Sequence, residues 1–367
     1  MRVNFCIITL WCMVNAVHAQ AKKDPCLDFA LTIDSSLYHR DPTFFTQNID
    51  YDAFTKKVFA PFNITPVEAS SLKGELQQQL NIGDIVLQSI GTDGIYEFVR
   101  ILEKSSVRKS LLFRHVGEDG WLNYHEIYLS QIGDSYKIED IYTYDAGLWL
   151  SETISSVLVM ESDLPLKNRN AGENQLLIDS VFIMNQQGDF SETMKYYKRL
   201  PSVYQDKEAL LISALIAAFA VKDSSKDALI NRYLVKHPQS PGLTLVLADI
   251  YTQERRTHKA LKQYEFLDVL IGGDIYLDYK KAELLVKEGK VKKGEKMCED
   301  IIQRKEEMIE ARLLLMDCYY IRKKYSEFLV QLETLASSME TTPSKVFAAE
   351  DYPEFFNSER WEKYSGK

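Results

Sequence analysis

The sequence predicts an α+β N-terminal domain, in which helices precede a four-stranded antiparallel meander, followed by an all-α solenoid of helical repeats. Two observations predict this order. Apolar and small residues recur with a period of about 34 over residues 174–335, and a fixed period of that length is typical of stacked helical hairpins. Ahead of that region, four strand-like runs follow one another with short, turn-rich links, as in hairpins joined in series.

The first 19 residues have the features of a signal peptide. Arg2 supplies a positive charge, residues 5–14 form a short apolar core, and small residues at Val17 and Ala19 mark a cleavage site. We therefore expect cleavage near Ala19 and an extracytoplasmic protein, periplasmic or secreted. An uncleaved anchor is the alternative, which the short core disfavours. No later run is apolar enough to cross a membrane, so no integral membrane span is predicted.

Charge and cysteine content restrict the kinds of partner and cross-link. The formal net charge is −9, and it becomes −10 when removal of residues 1–19 takes away Arg2. A nucleic-acid partner would favour a basic stripe, so this balance argues against one. The mature chain keeps Cys26, Cys298 and Cys318, which are too few for a disulfide framework. Cys298 and Cys318 fall on neighbouring repeat helices, where packing is their favoured role. A disulfide between them is the alternative in an oxidising compartment.

The α+β domain is predicted element by element. Residues 20–45 are polar and weakly patterned, so a lead-in is expected there, while residues 51–60 and 67–80 have helical spacing. The four strand-like runs cover residues 96–103, 109–116, 121–130 and 136–144, and residues 147–160 are predicted as a closing helix. The resulting boundaries are 46–160 for the α+β domain, 161–173 for a linker, 174–338 for the repeats and 345–367 for a C-terminal cap.

The order of elements over about residues 45–160 resembles the cone-shaped α+β fold of the nuclear transport factor 2 and ketosteroid isomerase superfamily. The segments that suggest this resemblance are Leu111-Leu112-Phe113-Arg114, Leu122-Asn123-Tyr124-His125-Glu126 and Lys137-Ile138-Glu139-Asp140-Ile141-Tyr142. The resemblance implies helices on one face of a curved sheet.

One sheet face could form a pocket. If the hairpins close around residues 118–119 and 133–134, this face carries Arg114, Asn123, His125, Asp140 and Tyr142. In enzymes of the cone fold, as the resemblance implies, a mouth lined by such groups performs proton transfer, because apolar walls move their pKa values toward neutrality. The alternative is that these residues form cross-strand pairs that stabilise the sheet. A slip of one residue would reverse the face.

The repeat units begin near Asn174, Lys207, Pro241, Ile275 and Ile309. In the fourth unit, Ala282 and Gly294 stand where two helices must approach closely, and Gly289 stands at the turn between them. This arrangement resembles the tetratricopeptide pattern, which has small residues at its eighth and twentieth positions. The tail that follows is apolar enough to cover the last repeat, with Tyr352, Phe355, Phe356 and Trp361.

The tetratricopeptide resemblance implies a concave groove lined by the first helix of each hairpin. The groove positions carried over are Gln175, Asn185, Gln186, Asp249, Thr252, Gln253, Tyr276, Glu283, Lys287, Asp317 and Tyr320. The second unit has an apolar stretch there. Amides, carboxylates and tyrosines suit an extended peptide, whose backbone needs hydrogen-bond partners. We therefore expect an open groove with Tyr276 and Tyr320 exposed. The alternative is that these are ordinary solvated helix faces.

Motifs of enzymes and metal sites do not occur in the sequence. It has no GxxxxGK[ST], GxGxxG or GxSxG segment and no Cys or His pair at zinc-ligand spacing. We therefore predict no cofactor, no metal and no catalytic residue, and a scaffold that binds a protein or peptide. One alternative is a small-ligand-binding or enzymatic cone domain around His125 and Asp140. The other is a structural assembly factor whose two domains only dock neighbours.

Overall fold

A computed structural model of the chain describes residues 24–105, 108–117, 120–133, 135–161, 164–166, 171–238 and 240–366. The predicted signal peptide and its cleavage site lie outside these residues. The chain divides into two compact units, Met1–Ala217 and Ala218–Lys367. This division falls inside the predicted repeat region, within the helix Glu208–Ala220. Among the residues described, no helix combines the length and apolar character needed to cross a membrane.

The first unit begins with helices, some of which the sequence analysis did not place. They are α1 (Pro25–Tyr38), α2 (Thr43–Gln47), α3 (Tyr51–Val58), α4 (Pro66–Gln79) and α5 (Ile82–Ile90). The expected lead-in therefore contains α1, whose buried stripe of Cys26, Ala30, Ile33 and Leu37 has helical spacing. Asp24 caps this helix by accepting a hydrogen bond from the amide of Cys26 at 3.0 Å. Leu27, Phe29 and Leu31 are apolar too but lie outside the narrow stripe, so its spacing is not evident from the sequence.

Five antiparallel strands follow in sequential order: β1 (Ile95–Ser105), β2 (Arg108–Val116), β3 (Leu122–Ile132), β4 (Ser135–Thr143) and β5 (Leu148–Trp149). The first four lie where the sequence predicts them, but a four-stranded meander is wrong. Gly147 adopts a φ of +61°, which suits glycine in the turn that brings β5 back onto β4. Leu148 and Trp149 then pair with Thr143 and Tyr142, and the closing helix α6 starts only afterwards, as Leu150–Glu161.

The strand register differs from the predicted one by a single residue between β2 and β3, and between β3 and β4 as far as Tyr128. Leu112 stands opposite Glu126 and Phe113 opposite His125. Between β3 and β4 a β-bulge shifts the pairing, because Tyr128 faces Asp140 whereas the next residue, Leu129, faces Ile138. Since side chains alternate between the faces of a sheet, a one-residue difference changes which residues share a face.

One face of this sheet packs on the helices. Leu111, Phe113, Ile127 and Ile141 join α1, α3 and α5 in a core of buried side chains, and Leu150 and Ile154 of α6 pack against it. Helices thus cover this face, as expected for helices stacked on one side of an antiparallel sheet, and Leu112 and Tyr124 on the other face are buried as well.

The remaining helices are α7 (Ala171–Gln186), α8 (Phe190–Arg199), α9 (Ser202–Gln205), α10 (Glu208–Ala220), α11 (Lys226–Lys236), α12 (Pro241–Gln253), α13 (Thr257–Ile271), α14 (Ile275–Lys287), α15 (Val291–Arg304), α16 (Ile309–Ile321), α17 (Tyr325–Ser338), α18 (Pro353–Phe356) and α19 (Glu359–Ser365). Helices α12, α14 and α16 begin at the predicted starts of three repeat units. In the second unit α12 packs on α13, α14 on α15 and α16 on α17, and contacts of α13 with α14 and of α15 with α16 stack these three hairpins.

Close helix contacts and the tail both contribute to this stack. A Cβ atom on Gly294 would lie 2.3 Å from Val286 Cγ2 and 3.2 Å from the carbonyl oxygen of Ala282, so α14 and α15 approach as closely as their small residues suggest. In the tail, Phe355 and Trp361 join the buried core of α16 and α17. The thiols of Cys298 and Cys318 are free and buried there.

Candidate functional site

The five residues predicted to line one sheet face do not share it. Asn123 and His125 alternate with Tyr124 along β3, and Tyr124 stands opposite Arg114. In the same register Tyr142 stands opposite Glu126 and Asp140 opposite Tyr128. Arg114, Asp140 and Tyr142 therefore belong to the other face of the sheet. The predicted pocket around His125 and Asp140 is wrong for this reason.

The carboxylate of Asp140 anchors the start of α6. Its Oδ1 accepts hydrogen bonds from the amides of Ile141 at 2.9 Å and Ser151 at 3.2 Å. Its Oδ2 accepts from the Ser151 hydroxyl at 2.7 Å and from Lys57 Nζ at 3.3 Å. With 1 % exposure and four donors, this side chain serves the fold, since few acceptor positions remain for a substrate.

His125 lies in a buried cluster with His115 and Tyr96. Its Nδ1 is 3.3 Å from the Tyr96 hydroxyl, and the two imidazole rings are 5.4 Å apart. Burial, reinforced by the neighbouring His115, lowers the pKa of His125 to about 3. Burial also lowers the pKa of His115. Both rings are thus neutral at physiological pH, and the sequence analysis missed His115 because its place depends on the register.

Three of the predicted groove positions form a carboxylate column in the second unit, which we define as Asp249, Glu283 and Asp317. They occupy the same position in α12, α14 and α16, one repeat apart, and all are half-buried. Asp249 accepts from the Tyr264 hydroxyl at 3.3 Å, and Glu283 pairs with Lys280 and Lys287 at 3.3 and 2.8 Å. These three hairpins thus carry one carboxylate each at a constant interval, and each carboxylate has a hydroxyl or lysine partner within the chain.

The expected exposure of the groove tyrosines is only partly met. Tyr276 is 4 % exposed and packs against Tyr279 with ring centroids 5.2 Å apart, so its exposure was wrongly predicted. Tyr320 is half-buried. Of the remaining positions in the second unit, Thr252 is half-buried with its hydroxyl bonded to the Ala248 carbonyl oxygen, while Gln253 and Lys287 are exposed.

The tail contacts the groove positions of the last hairpin. The Tyr352 hydroxyl donates a 2.8 Å hydrogen bond to Asp317 Oδ1. Its ring lies edge-on to Tyr320 and Phe328, with centroids 5.1 and 4.9 Å apart. Burial raises the pKa of Asp317, and the bond from Tyr352 partly offsets this effect. An aromatic segment of the chain is therefore held at two positions that the sequence analysis assigned to a groove.

A pocket of about 460 Å³ lies in the first unit. The turn between β4 and β5 lines it together with α6, α7 and α10, and its walls include the apolar side chains of Phe182, Ile183, Ile212 and Ile216. Three predicted groove residues meet here. Asn185 and Gln186 line the pocket, and Gln175 Nε2 donates to the hydroxyl of Ser156, another lining residue, at 3.2 Å.

Asp179 is the residue of this pocket that the sequence analysis missed. Its side chain is 6 % exposed, and Oδ1 accepts from Gln175 Nε2 at 2.9 Å. Within the described residues, Asp179 Oδ2 and Asn185 Oδ1 are buried without a hydrogen-bond partner. Burial raises the pKa of Asp179, and the bond from Gln175 opposes the rise. The spacing of Gln175 and Asp179 on α7 is a helical i, i+4 pair, but that alone does not indicate a pocket.

Comparison with protein-family models gave no match, and comparison with curated proteins gave none either. Among solved structures, one that matches is described as the crystal structure of MamA protein. It is 15 % identical, the match covers 48 % of this chain and 96 % of that chain, and the TM-score is 0.37. A likeness of this extent carries no argument about the present chain.

Proposed function

We propose that the protein is an exported scaffold that binds an extended segment of a protein or peptide along its tetratricopeptide-like hairpins. The observation that carries this proposal is the packing of Tyr352 on the last hairpin. The Asp317 carboxylate accepts a hydrogen bond from the Tyr352 hydroxyl, and the rings of Tyr320 and Phe328 contact the tyrosine ring. A hairpin surface of this chain thus holds an aromatic segment by a hydrogen bond and ring packing, which are the contacts that peptide recognition uses.

The carboxylate column extends this mode of binding to the earlier hairpins. Asp249 and Glu283 repeat the position of Asp317 at one-repeat intervals and, like it, are half-buried. A half-buried carboxylate favours hydroxyl and ammonium donors, because charge-assisted hydrogen bonds are stronger than neutral ones. We infer that the preferred segment is extended and carries tyrosine hydroxyls or basic side chains at matching intervals.

In this proposal the α+β domain contributes a second binding surface and performs no catalysis. The two groups that the sequence analysis named for proton transfer have partners within the protein. Asp140 accepts from four donors, and His125 is buried beside Tyr96 and His115. A general base must reach the proton that it removes. The register separates these two side chains onto different faces, which favours binding over proton transfer.

Peptide selection against the purified full-length protein tests the groove. A random peptide library is displayed and enriched, and the selected peptides are measured against the wild type and against the double variant Asp249→Asn/Glu283→Gln. We expect enrichment of peptides with tyrosine or basic residues and a loss of affinity of about tenfold in the double variant, as for one or two charge-assisted hydrogen bonds.

The matched control is Glu265→Gln/Glu307→Gln, which removes the same charge from exposed positions outside the column. It should bind the selected peptides as the wild type does. Equal binding by all three proteins, or failure to enrich any peptide, would contradict the groove. Export is tested separately. Intact-mass measurement of the protein from its native source should give a chain that starts at Gln20.

A further inference from the structure

The pocket of the first unit combines apolar walls with hydrogen-bond acceptors that the protein leaves unused. Asp179 Oδ2 and Asn185 Oδ1 are buried without a partner in the described structure, and both residues line the pocket of about 460 Å³. Burying an acceptor without a donor is unfavourable, and an anionic acceptor is the more costly of the two. Such a pair beside an open volume indicates that a ligand supplies the donors.

The charges around the pocket determine which donor fits. The described residues that line it include two carboxylates, Asp145 and Asp179, and neither lysine nor arginine nor histidine. Asp145 Oδ1 already accepts from Asn123 Nδ2 at 2.6 Å, whereas one oxygen of Asp179 has no donor. A positively charged donor therefore gains an electrostatic term that an alcohol or amide would not, and the low polarity of the walls strengthens it.

The apolar walls determine the body of the ligand. Phe182, Ile183, Ile212 and Ile216 leave a volume sufficient for a small aromatic or branched aliphatic group. An ammonium group has three donors and no acceptor, so it suits a buried carboxylate oxygen that lacks a donor, such as Asp179 Oδ2. A metal ion would need further oxygen ligands at short, regular distances, which fits these two separate acceptors and apolar walls less well.

We propose that this pocket binds a primary ammonium group carried on a short apolar stem, with Asp179 as the anionic partner. Such a group occurs in free amines and at the end of lysine side chains. This inference is independent of the peptide groove, since all lining residues belong to the first unit.

Calorimetric titration of the full-length protein tests the site with defined probes. 2-Phenylethylamine and 3-methylbutylamine are compared with 2-phenylethanol and 3-methylbutanol, which have the same stems and no charge. At neutral pH we expect each amine to bind about tenfold or more tightly than its alcohol, the factor that corresponds to one charge-assisted hydrogen bond. Nα-acetyl-lysine methylamide is the third probe, and its affinity relative to the free amines distinguishes a lysine side chain from a small molecule.

Variants separate this site from non-specific binding. Asp179→Asn, which keeps the shape of the side chain, should abolish the preference for amines. Glu173→Gln, an exposed position on the same helix, should keep it. Because burial raises the pKa of Asp179 and a bound cation favours the ionised carboxyl, amine affinity should also fall with decreasing pH in the wild type but not in Asp179→Asn.

Three results would overturn the inference. They are equal affinity for amines and alcohols, an unchanged preference in Asp179→Asn that retains the wild-type circular dichroism spectrum, and no binding of any amine probe at millimolar concentration. Tighter binding of the lysine derivative or of a free amine supports the site in either case and identifies the source of the ammonium group.

Discussion

The hydroxyl of Ser151 donates a 2.7 Å hydrogen bond to Asp140 Oδ2, and the amide of the same serine donates to Asp140 Oδ1 at 3.2 Å. One buried carboxylate thus joins strand β4 to the first turn of α6. Replacing Asp140 with alanine removes the acceptor of both Ser151 donors, whereas Lys57 keeps its ion pair with Glu139 at 2.9 Å. We predict a loss of about 2–4 kcal/mol in the free energy of unfolding, measured by urea denaturation.

Two further variants serve as comparisons for Asp140→Ala. Ser151→Ala removes one of the donors and should cost about 1 kcal/mol. Asp52→Ala removes an exposed carboxylate that pairs with Lys73 at 2.6 Å and should cost less than about 1 kcal/mol. If Asp140→Ala is no more destabilising than Asp52→Ala, the carboxylate does not anchor the helix.

The buried histidines predict a dependence of stability on pH. His125 has a pKa lowered to about 3 by burial and by His115, whereas an unfolded histidine has a pKa of about 6.5. Between these values the unfolded chain binds a proton that the folded chain does not. The contribution of His125 to the free energy of unfolding should therefore be fully present above a pH of about 6.5. It should decrease by up to about 1.4 kcal/mol per pH unit as the pH falls toward 3.

The variant His125→Gln should reduce this slope when urea denaturation is followed at several pH values. The readout is the slope, because the substitution also changes the stability at every pH. His39→Gln, at an exposed position, serves as the control and should keep the wild-type slope. An identical slope in His125→Gln and the wild type would assign the acid sensitivity to other groups.

The close approach of α14 and α15 predicts opposite effects of the same substitution at two glycines. Gly294→Ala places a Cβ atom 2.3 Å from Val286 Cγ2 and should destabilise the protein by about 1–3 kcal/mol. Gly74→Ala lies in α4, where an added Cβ meets nothing within 4 Å, and should stabilise by about 0.5–1 kcal/mol. Thermal unfolding by circular dichroism measures both changes.

A second substitution checks the cause at Gly294. Adding Val286→Ala to Gly294→Ala removes the atom that the new Cβ meets, so the double variant should be more stable than additive losses predict. Additive losses would mean that the two side chains do not collide.

Two substitutions in the aromatic tail should lower the stability of the protein by different amounts. Phe355 is fully buried, and its ring centroid is 4.3 Å from that of Phe328 and 5.5 Å from that of Trp361. Phe355→Ala should therefore cost about 3–5 kcal/mol. Tyr352→Phe removes only the hydrogen bond to Asp317 and should cost about 1 kcal/mol. Comparable losses in chemical denaturation would argue against a core role for Phe355.

Local periodicity made much of the fold predictable. The helices α3 and α4, four strands and the starts of α12, α14 and α16 each follow from spacing within a short stretch of chain. The helix α1 was missed because its buried stripe of Cys26, Ala30, Ile33 and Leu37 is narrow. Strand β5 was missed because two residues are too few to produce an alternating pattern.

The site was less predictable, because it depends on where separate elements meet. The bulge that sets Asp140 opposite Tyr128 has no local pattern, and it decides which polar residues share a face. Asp179 becomes distinctive only where α6, α7 and α10 enclose a volume, and this enclosure depends on tertiary packing that no local pattern reveals. Gln175, Asn185 and Gln186 were selected for a groove, and the structure places them at this pocket.

The packing of Phe355 and Trp361 on the last described hairpin also bears on assembly between molecules. The two ends of a stack of similar hairpins are complementary to each other, so an uncovered end can accept another copy and grow head to tail into a fibre. Here the chain fills that surface with its own rings, which join the buried core of α16 and α17. Polymerisation through this end must first displace them, so the tail opposes filament growth even at high protein concentration.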